Sequence, residues 1–399
     1  MNKEFPIGIF YIPTWAATND IQYNYIQDAH INFMQSFYPN VVGINTEEQM
    51  KTILDLAFAR GIKVQVSDSR MEELMTTATD EEIDAIAGSY KHHPATGGYY
   101  IKDEPSREQL PRAAYVYKRL KWNDPNSFPN VNMFPSSGVP DSNHKDYLEE
   151  WVSQAGPSNL EYLTMDTYPF VAGDVIGSDY FKDMENLRAV GLKYDLKIAA
   201  YLQAVGLSLG ETVYLRRPNA DELRWNVYTN LAYGVKGLYW FTWFQPIDQG
   251  PDTHFTTAIM DSAGNKTDLY VPVQSLNEEI KQWGPILMGL ISRNVFFKGK
   301  LPPGTKPLPV NYFWEPVDDE DQIISHFVDS SGRNYIMVVN LDSSNHKTLR
   351  YHLPSKPSVL TEVCKSTGAE IPTSYSSVTG ELSSTFLPGE GKLYLLADD

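Results

Sequence analysis

The chain has 399 residues, 42% of them hydrophobic, and a formal net charge of −17. That length can bury one large core and a second smaller one. The charge repels phosphate backbones, with no Lys/Arg-rich tract to offset it, which argues against nucleic acid as a partner. The single cysteine, Cys364, excludes an intramolecular disulfide framework and a cysteine-based metal cluster and reads as a buried small hydrophobe.

No run of about 18 apolar residues is present, so no membrane span is expected. The N-terminus, Met1-Asn2-Lys3-Glu4-Phe5-Pro6, enters strand-like sequence at once, without the apolar core of a signal peptide. As written this places the protein in the cytoplasm; a leader already removed would make it secreted or periplasmic. Aromatic residues reach 13%, and their flat faces suit sugar rings, although most serve as core and surface filling.

In chain order, apolar runs of strand length alternate with amphipathic helices through three quarters of the sequence. The strands are expected at Pro6 to Pro13, Ile31 to Tyr38, Ile62 to Ser67, Gly98 to Lys102, Asn130 to Phe134, Tyr162 to Asp166, Leu196 to Leu202 and Gly237 to Trp243. Between them, Thr46-Glu47-Glu48-Gln49 is a capping box ahead of the stripe Met50, Ile53, Leu54 and Ala57, and Gly61 ends that helix. Thr79-Asp80-Glu81-Glu82 repeats the box, and Asn219 caps a helix with Leu223, Val227 and Leu231 inside. Eight such units predict a closed (β/α)8 TIM barrel rather than an open doubly wound sheet. No Gly-x-Gly-x-x-Gly follows the first strand, so a dinucleotide site has no support.

After Trp283 the character changes. The Pro/Gly-rich segment from Gly299 to Pro307 reads as a linker, and short strands and turns follow. Ile323 to Asp329 and Tyr335 to Asn340 flank Ser330-Ser331-Gly332-Arg333 as a hairpin, and Gly391 to Leu396 forms a last strand. The expected division is a barrel over 1–298 and an antiparallel β-sandwich over 299–399. The acidic run Asp318 to Asp321 lacks EF-hand spacing and reads as a solvated loop.

In such a barrel, chemistry sits where the strands end at their C-terminal side. There the pattern gathers Asp68, then Asp103 and Glu104, then Asp166 and Tyr168, then Gln203, then Trp240, Trp243 and Gln245; loops can add Glu211, Asp248 and Asp252. An acid after a strand also serves as a helix N-cap, which applies to Asp68 and Asp166, and Trp243 and Tyr168 can equally close the barrel top. Two adjacent acids are harder to dismiss, since like charges raise at least one pKa, a cost that structural positions avoid. Lys102, two positions from Glu104, is expected to share its inward face and to pair with one of the carboxylates.

At Asp103-Glu104-Pro105 the chain resembles the clan A glycoside hydrolases, whose barrels carry an Asn-Glu-Pro-like motif after strand four with Glu as acid/base. Met165-Asp166-Thr167-Tyr168-Pro169 is similar to a segment of the family 42 β-galactosidases, as is Tyr239 to Gln245 to their last strand. The resemblance implies a glycosidase acting on a β-linked carbohydrate, with no cofactor. Glu104 would be the general acid, Asp103 would orient the sugar's 2-substituent, and Asp166 would bind hydroxyls or act as the second carboxylate. Asp68, Lys102, Tyr168, Gln203, Trp240, Trp243 and Gln245 would bind substrate. One departure stands out: clan A retaining enzymes place a nucleophilic Glu after strand seven, where this chain has Gln203. Three readings follow. The second carboxylate comes from elsewhere, such as Asp166 or Glu211; or the substrate's 2-acetamido group is the nucleophile, as in the β-N-acetylhexosaminidases that the Asp-Glu pair also resembles; or the protein binds sugar without catalysis.

Overall fold

The computed structural model describes residues 4–36, 39–139, 143–173 and 175–397. Eight parallel strands close into a barrel: β1 (Ile7–Phe10), β2 (Phe33–Gln35), β3 (Lys63–Val66), β4 (Thr96–Asp103), β5 (Asn130–Met133), β6 (Tyr162–Asp166), β7 (Lys197–Gln203) and β8 (Leu238–Phe241). Each pairs with its neighbours in sequence, and β8 returns to β1 through Ile7 opposite Leu238 and Gly8 opposite Tyr239. All eight expected strands are there; Phe37 and Tyr38, the end of the second one as read from sequence, lie outside the described residues.

The helix starts follow their capping chemistry. Thr46 accepts from the Gln49 amide and Thr79 from that of Glu82, each in a reciprocal capping box, and Asn219 does the same with Glu222. Inside the barrel the filling is aromatic and polar. Phe10, Tyr100, Tyr201, Phe33 and Tyr239 meet with ring centroids 5.4–5.9 Å apart. Gly8 is required for this: a Cβ there would come within 2.1 Å of the Tyr239 ring. The polar members are bonded in pairs, Gln35 donating to Gln65 at 2.8 Å and Thr164 to Asn130 at 2.9 Å.

The segments leaving β6, β7 and β8 do not remain irregular. Phe170–Val171, Val175–Ile176, Leu207–Leu209, Thr212–Leu215 and Thr253–Phe255 join in one antiparallel sheet, which ties together the loops at the C-terminal ends of three adjacent barrel strands.

By compactness the chain forms two units, Pro6–Pro218 with Gly237–Asn277, and Asn219–Lys236 with Glu278–Asp399 and the first residues of the chain. The second unit contains an antiparallel sandwich. A six-stranded sheet including Ile291–Lys298, Gln322–Val328, Asn334–Asn340 and Gly391–Ala397 faces a sheet of Glu315–Pro316, Lys347–His352 and Glu381–Phe386. Trp314, Ile336, Val338, Tyr351, Phe386 and Tyr394 are part of the core between them. The hairpin expected around Gly332 pairs Gln322 with Asn340 through to Val328 with Asn334. The acidic run is a surface loop in which Asp318, Asp319, Glu320 and Asp321 pair with Arg350, Lys298, Lys347 and Lys300. Cys364 departs from expectation. It is only partly buried, because it lies where Val359–Val363 gives way to a turn; Ser366 and Thr367 bond its sulfur, and these bonds bring the thiol down to about 7.

Candidate active site

Three acids converge at the C-terminal ends of β4 and β6. Asp103 is the last residue of β4, Glu104 follows it, and Asp166 ends β6. Between them lies Asn132 of β5, whose Nδ2 donates to Asp103 Oδ1 at 3.1 Å and to Asp166 Oδ1 at 2.8 Å. One amide nitrogen thus spends both its protons holding two carboxylates together. Asp103 also accepts from the Tyr100 hydroxyl at 3.0 Å, and Asp166 from Tyr168. Neither Asn132 nor Tyr100 was singled out from sequence. The available signal was Asn130-Val131-Asn132, an apolar strand position flanked by two amides that both turn toward other strands' polar groups.

Glu104 is held by its backbone. Its φ is 49°, the left-handed region, and the next residue is Pro105. A non-glycine residue rarely adopts this conformation, and a following proline restricts it further. The Glu104 N–H donates to the Asn132 carbonyl at 2.9 Å. The side chain is partly exposed and forms no hydrogen bond with another described residue, so its carboxyl is available to a ligand.

The electrostatics follow from this crowding. Burial, then the charge of Asp166, then that of Asp103, push Glu104 up to about 9, with Lys102 opposing. Asp166 is pushed up to about 7, by burial first and Asp103 second, while its bonds from Asn132 and Tyr168 pull down. Asp103 is also raised by burial, against the bonds from Asn132 and Tyr100. At neutral pH Glu104 therefore keeps its proton, while Asp166, with a pKa of about 7, lies beside it and is drawn toward the ionised form by its two donors, so the pair separates an acid from a group able to ionise.

Aromatic rings border the acids. Tyr168 stacks on Phe241 at 4.9 Å, and both are partly exposed. Phe241, unlike Trp240, lies on the inward phase of β8, against Phe10 at 5.8 Å.

Other residues expected at the site have different duties. Asp68 is buried and caps the turn that follows β3. Arg70 forks onto both its oxygens at 2.6–3.1 Å and the Tyr90 hydroxyl donates to it as well, so its acceptor capacity is used. Trp240 faces away from the barrel axis and donates to Asn277 at 2.9 Å. Trp243 is fully buried, edge-on to Tyr270. Gln245 is partly buried, with its amide toward the Phe255 carbonyl at 3.4 Å. Glu211 is exposed in a hairpin turn, and Asp248 pairs with His254 at 2.9 Å. The close ion pair expected for Lys102 does not form within 4.0 Å among the described residues; it acts on Asp103 and Glu104 only through space. The reason is a register shift between Tyr100 and Lys102, which breaks the strict alternation on which that expectation rests.

Gln203 stands where a strand-seven nucleophile would. Its Nε2 donates to the carbonyls of Phe170 at 3.0 Å and Arg216 at 2.7 Å, and its Oε1 accepts from the Phe170 N–H at 2.9 Å, all in a fully buried environment. It anchors two strands of the rim sheet to the end of β7. A glutamate here would set one carboxylate oxygen, in place of Nε2, against two carbonyl oxygens. Gln203→Glu is accordingly expected to destabilise the fold by about 2–3 kcal/mol in denaturant unfolding and to confer no gain in activity. Unchanged stability would show that the clamp is dispensable.

Among the described residues, no three His, Cys, Asp or Glu side chains are placed to hold a metal ion, and no helix is long and apolar enough to cross a membrane.

No family model matches the chain, and no curated protein matches it in sequence. Solved structures do. A catalytic mutant of a family 42 β-galactosidase from G. stearothermophilus superposes with a TM-score of 0.62 at 8% identity, over 99% of this chain and 98% of that one. A family 39 glycoside hydrolase from the gut symbiont Bacteroides cellulosilyticus gives 0.53 at 13% identity, over 100% and 82%. For a β-galactosidase from the psychrophilic Marinomonas ef1 the values are 0.54 and 10%, covering 71% of this chain; the chain spans 62% of that protein's length. The likeness is one of fold. At that level the resemblance to clan A barrels, and to family 42 among them, holds for this chain.

Proposed function

We propose that this protein is a glycoside hydrolase with Glu104 as its general acid. The observation that carries the reading is a partly exposed carboxyl at the C-terminal end of β4, free of hydrogen bonds to other described residues and pushed up to about 9 by its surroundings. Such a group keeps its proton at neutral pH and can give it to the glycosidic oxygen as the bond to the anomeric carbon breaks. Asp166, oriented by Asn132 and Tyr168, is the second carboxylate of the reaction. Its role requires the ionised form, which its two hydrogen-bond donors favour. Tyr168 and Phe241 supply a flat apolar wall of the kind that packs on a pyranose ring. The wide sharing of this barrel among sugar hydrolases supports the reading, although a fold alone does not carry an activity.

One observation favours a second reading. Gln203 is fully engaged by backbone groups, so β7 ends without a carboxylate, while Asp103 stands next to the acid. That is the constellation required if the substrate's own 2-acetamido oxygen attacks the anomeric carbon and Asp103 holds the acetamide nitrogen. The activity itself is tested by the Glu104→Gln variant, and the choice between the two readings by Asp103→Asn, both with the outcomes given in the Discussion.

A further inference from the structure

Glu104 occupies a conformation that must be imposed by its surroundings, and two contacts impose it. On its N-terminal side the Glu104 N–H is tied to the Asn132 carbonyl at 2.9 Å. On its C-terminal side the carbonyl of Pro105 accepts from the Tyr147 hydroxyl at 2.6 Å. Tyr147 lies on the helix His144–Ala155, fully buried, with the Arg107 guanidinium 5.7 Å from its ring centre and the His144 ring stacked on it at 6.5 Å. Arg107 is in turn fixed to Glu150 of that helix at 2.5 Å. A residue with φ of 49° before a proline persists only where its surroundings over-determine it, and such strain gathers at sites that need preorganisation.

We infer that Tyr147 is a positioning residue for Glu104: its hydroxyl, by holding the Pro105 carbonyl, keeps the Glu104–Pro105 turn in the left-handed conformation that presents the carboxyl to the leaving group. This rests on the proposed role of Glu104 and assigns no contact between Tyr147 and substrate. The buried ring packs alike as Tyr or Phe, so the hydroxyl can be removed on its own; its other partner, the Phe134 N–H at 3.5 Å, is a weak one.

The test compares wild type, Tyr147→Phe and Glu104→Gln on an alkyl glycoside, which needs acid help, and on an activated aryl glycoside of the same sugar, which does not. Tyr147→Phe is expected to lower kcat on the alkyl glycoside about 10- to 100-fold with KM little changed, and on the aryl glycoside by less than about threefold. Partial unfolding would lower both rates equally, so the ratio separates misplacement from instability. If Tyr147→Phe does not fold, Pro105→Ala takes its place, since it frees the backbone at Glu104 with Tyr147 still packed, and the same selective loss is expected. Equal rates for wild type and variant on both substrates, or an equal loss on both, would overturn the inference while Glu104→Gln still shows its selective loss. Should Glu104→Gln itself show none, it is the role of Glu104 that fails.

Discussion

Glu104→Gln is expected to lower turnover of an unactivated glycoside by about 10²- to 10⁴-fold while leaving sugar affinity nearly unchanged. The glutamine keeps the shape of the side chain and removes the one proton that burial and the neighbouring carboxylates hold there. Activated aryl glycosides, whose leaving groups depart without protonation, should lose far less. A protein that only binds sugars would give a different result: measurable affinity, no turnover by the wild type on a broad panel of glycosides, and indifference to the substitution.

The second large effect concerns Asp103. If the substrate supplies its own nucleophile, N-acetylhexosaminides are cleaved, plain galactosides and glucosides are not, and Asp103→Asn costs at least about 2 kcal/mol of transition-state stabilisation, about 30-fold in kcat/KM. The variant would retain an acceptor toward Asn132 and Tyr100 but lose the charge that balances the developing oxazolinium ion. If Asp103 only holds a 2-hydroxyl, Asp103→Asn restores the clan A motif and should be tolerated. Turnover of plain galactosides or glucosides by an active Asp103→Asn variant would eliminate substrate assistance and leave Asp166 as the second carboxylate. Glu211, exposed in its hairpin turn, is the weaker alternative.

How much of this was readable from the chain varies with the range of the interactions. The barrel was legible because its signals are local: the capping boxes at Thr46 and Thr79 act over three residues, and strand alternation over two. The adjacency of Asp103 and Glu104 was legible for the same reason. Gln203 was not, since its partners are backbone groups 33 and 13 residues away in segments that no pattern marked as strands. Asp68 shows the same limit: Arg70 is close in sequence, but Tyr90, which completes its coordination, is 22 residues off. Trp240 is a different case. Its outward phase follows from the alternation of β8, in which Tyr239 and Phe241 face the barrel interior, so strict use of the period would have chosen Phe241. For Lys102 that same period misleads, because the register shift in β4 falls just before it.

The acid assignment is open to one direct measurement, the pH dependence of kcat/KM for an unactivated alkyl glycoside with wild type and, on its residual activity, with Glu104→Gln. Glu104 must be protonated to act, so wild-type activity should be lost as pH rises through about 9. Asp166 must be ionised, so it should also be lost as pH falls through about 7. In Glu104→Gln the acidic limb should remain and the alkaline limb should vanish. An alkaline limb that persists unchanged in the variant would contradict the assignment of Glu104 as the general acid.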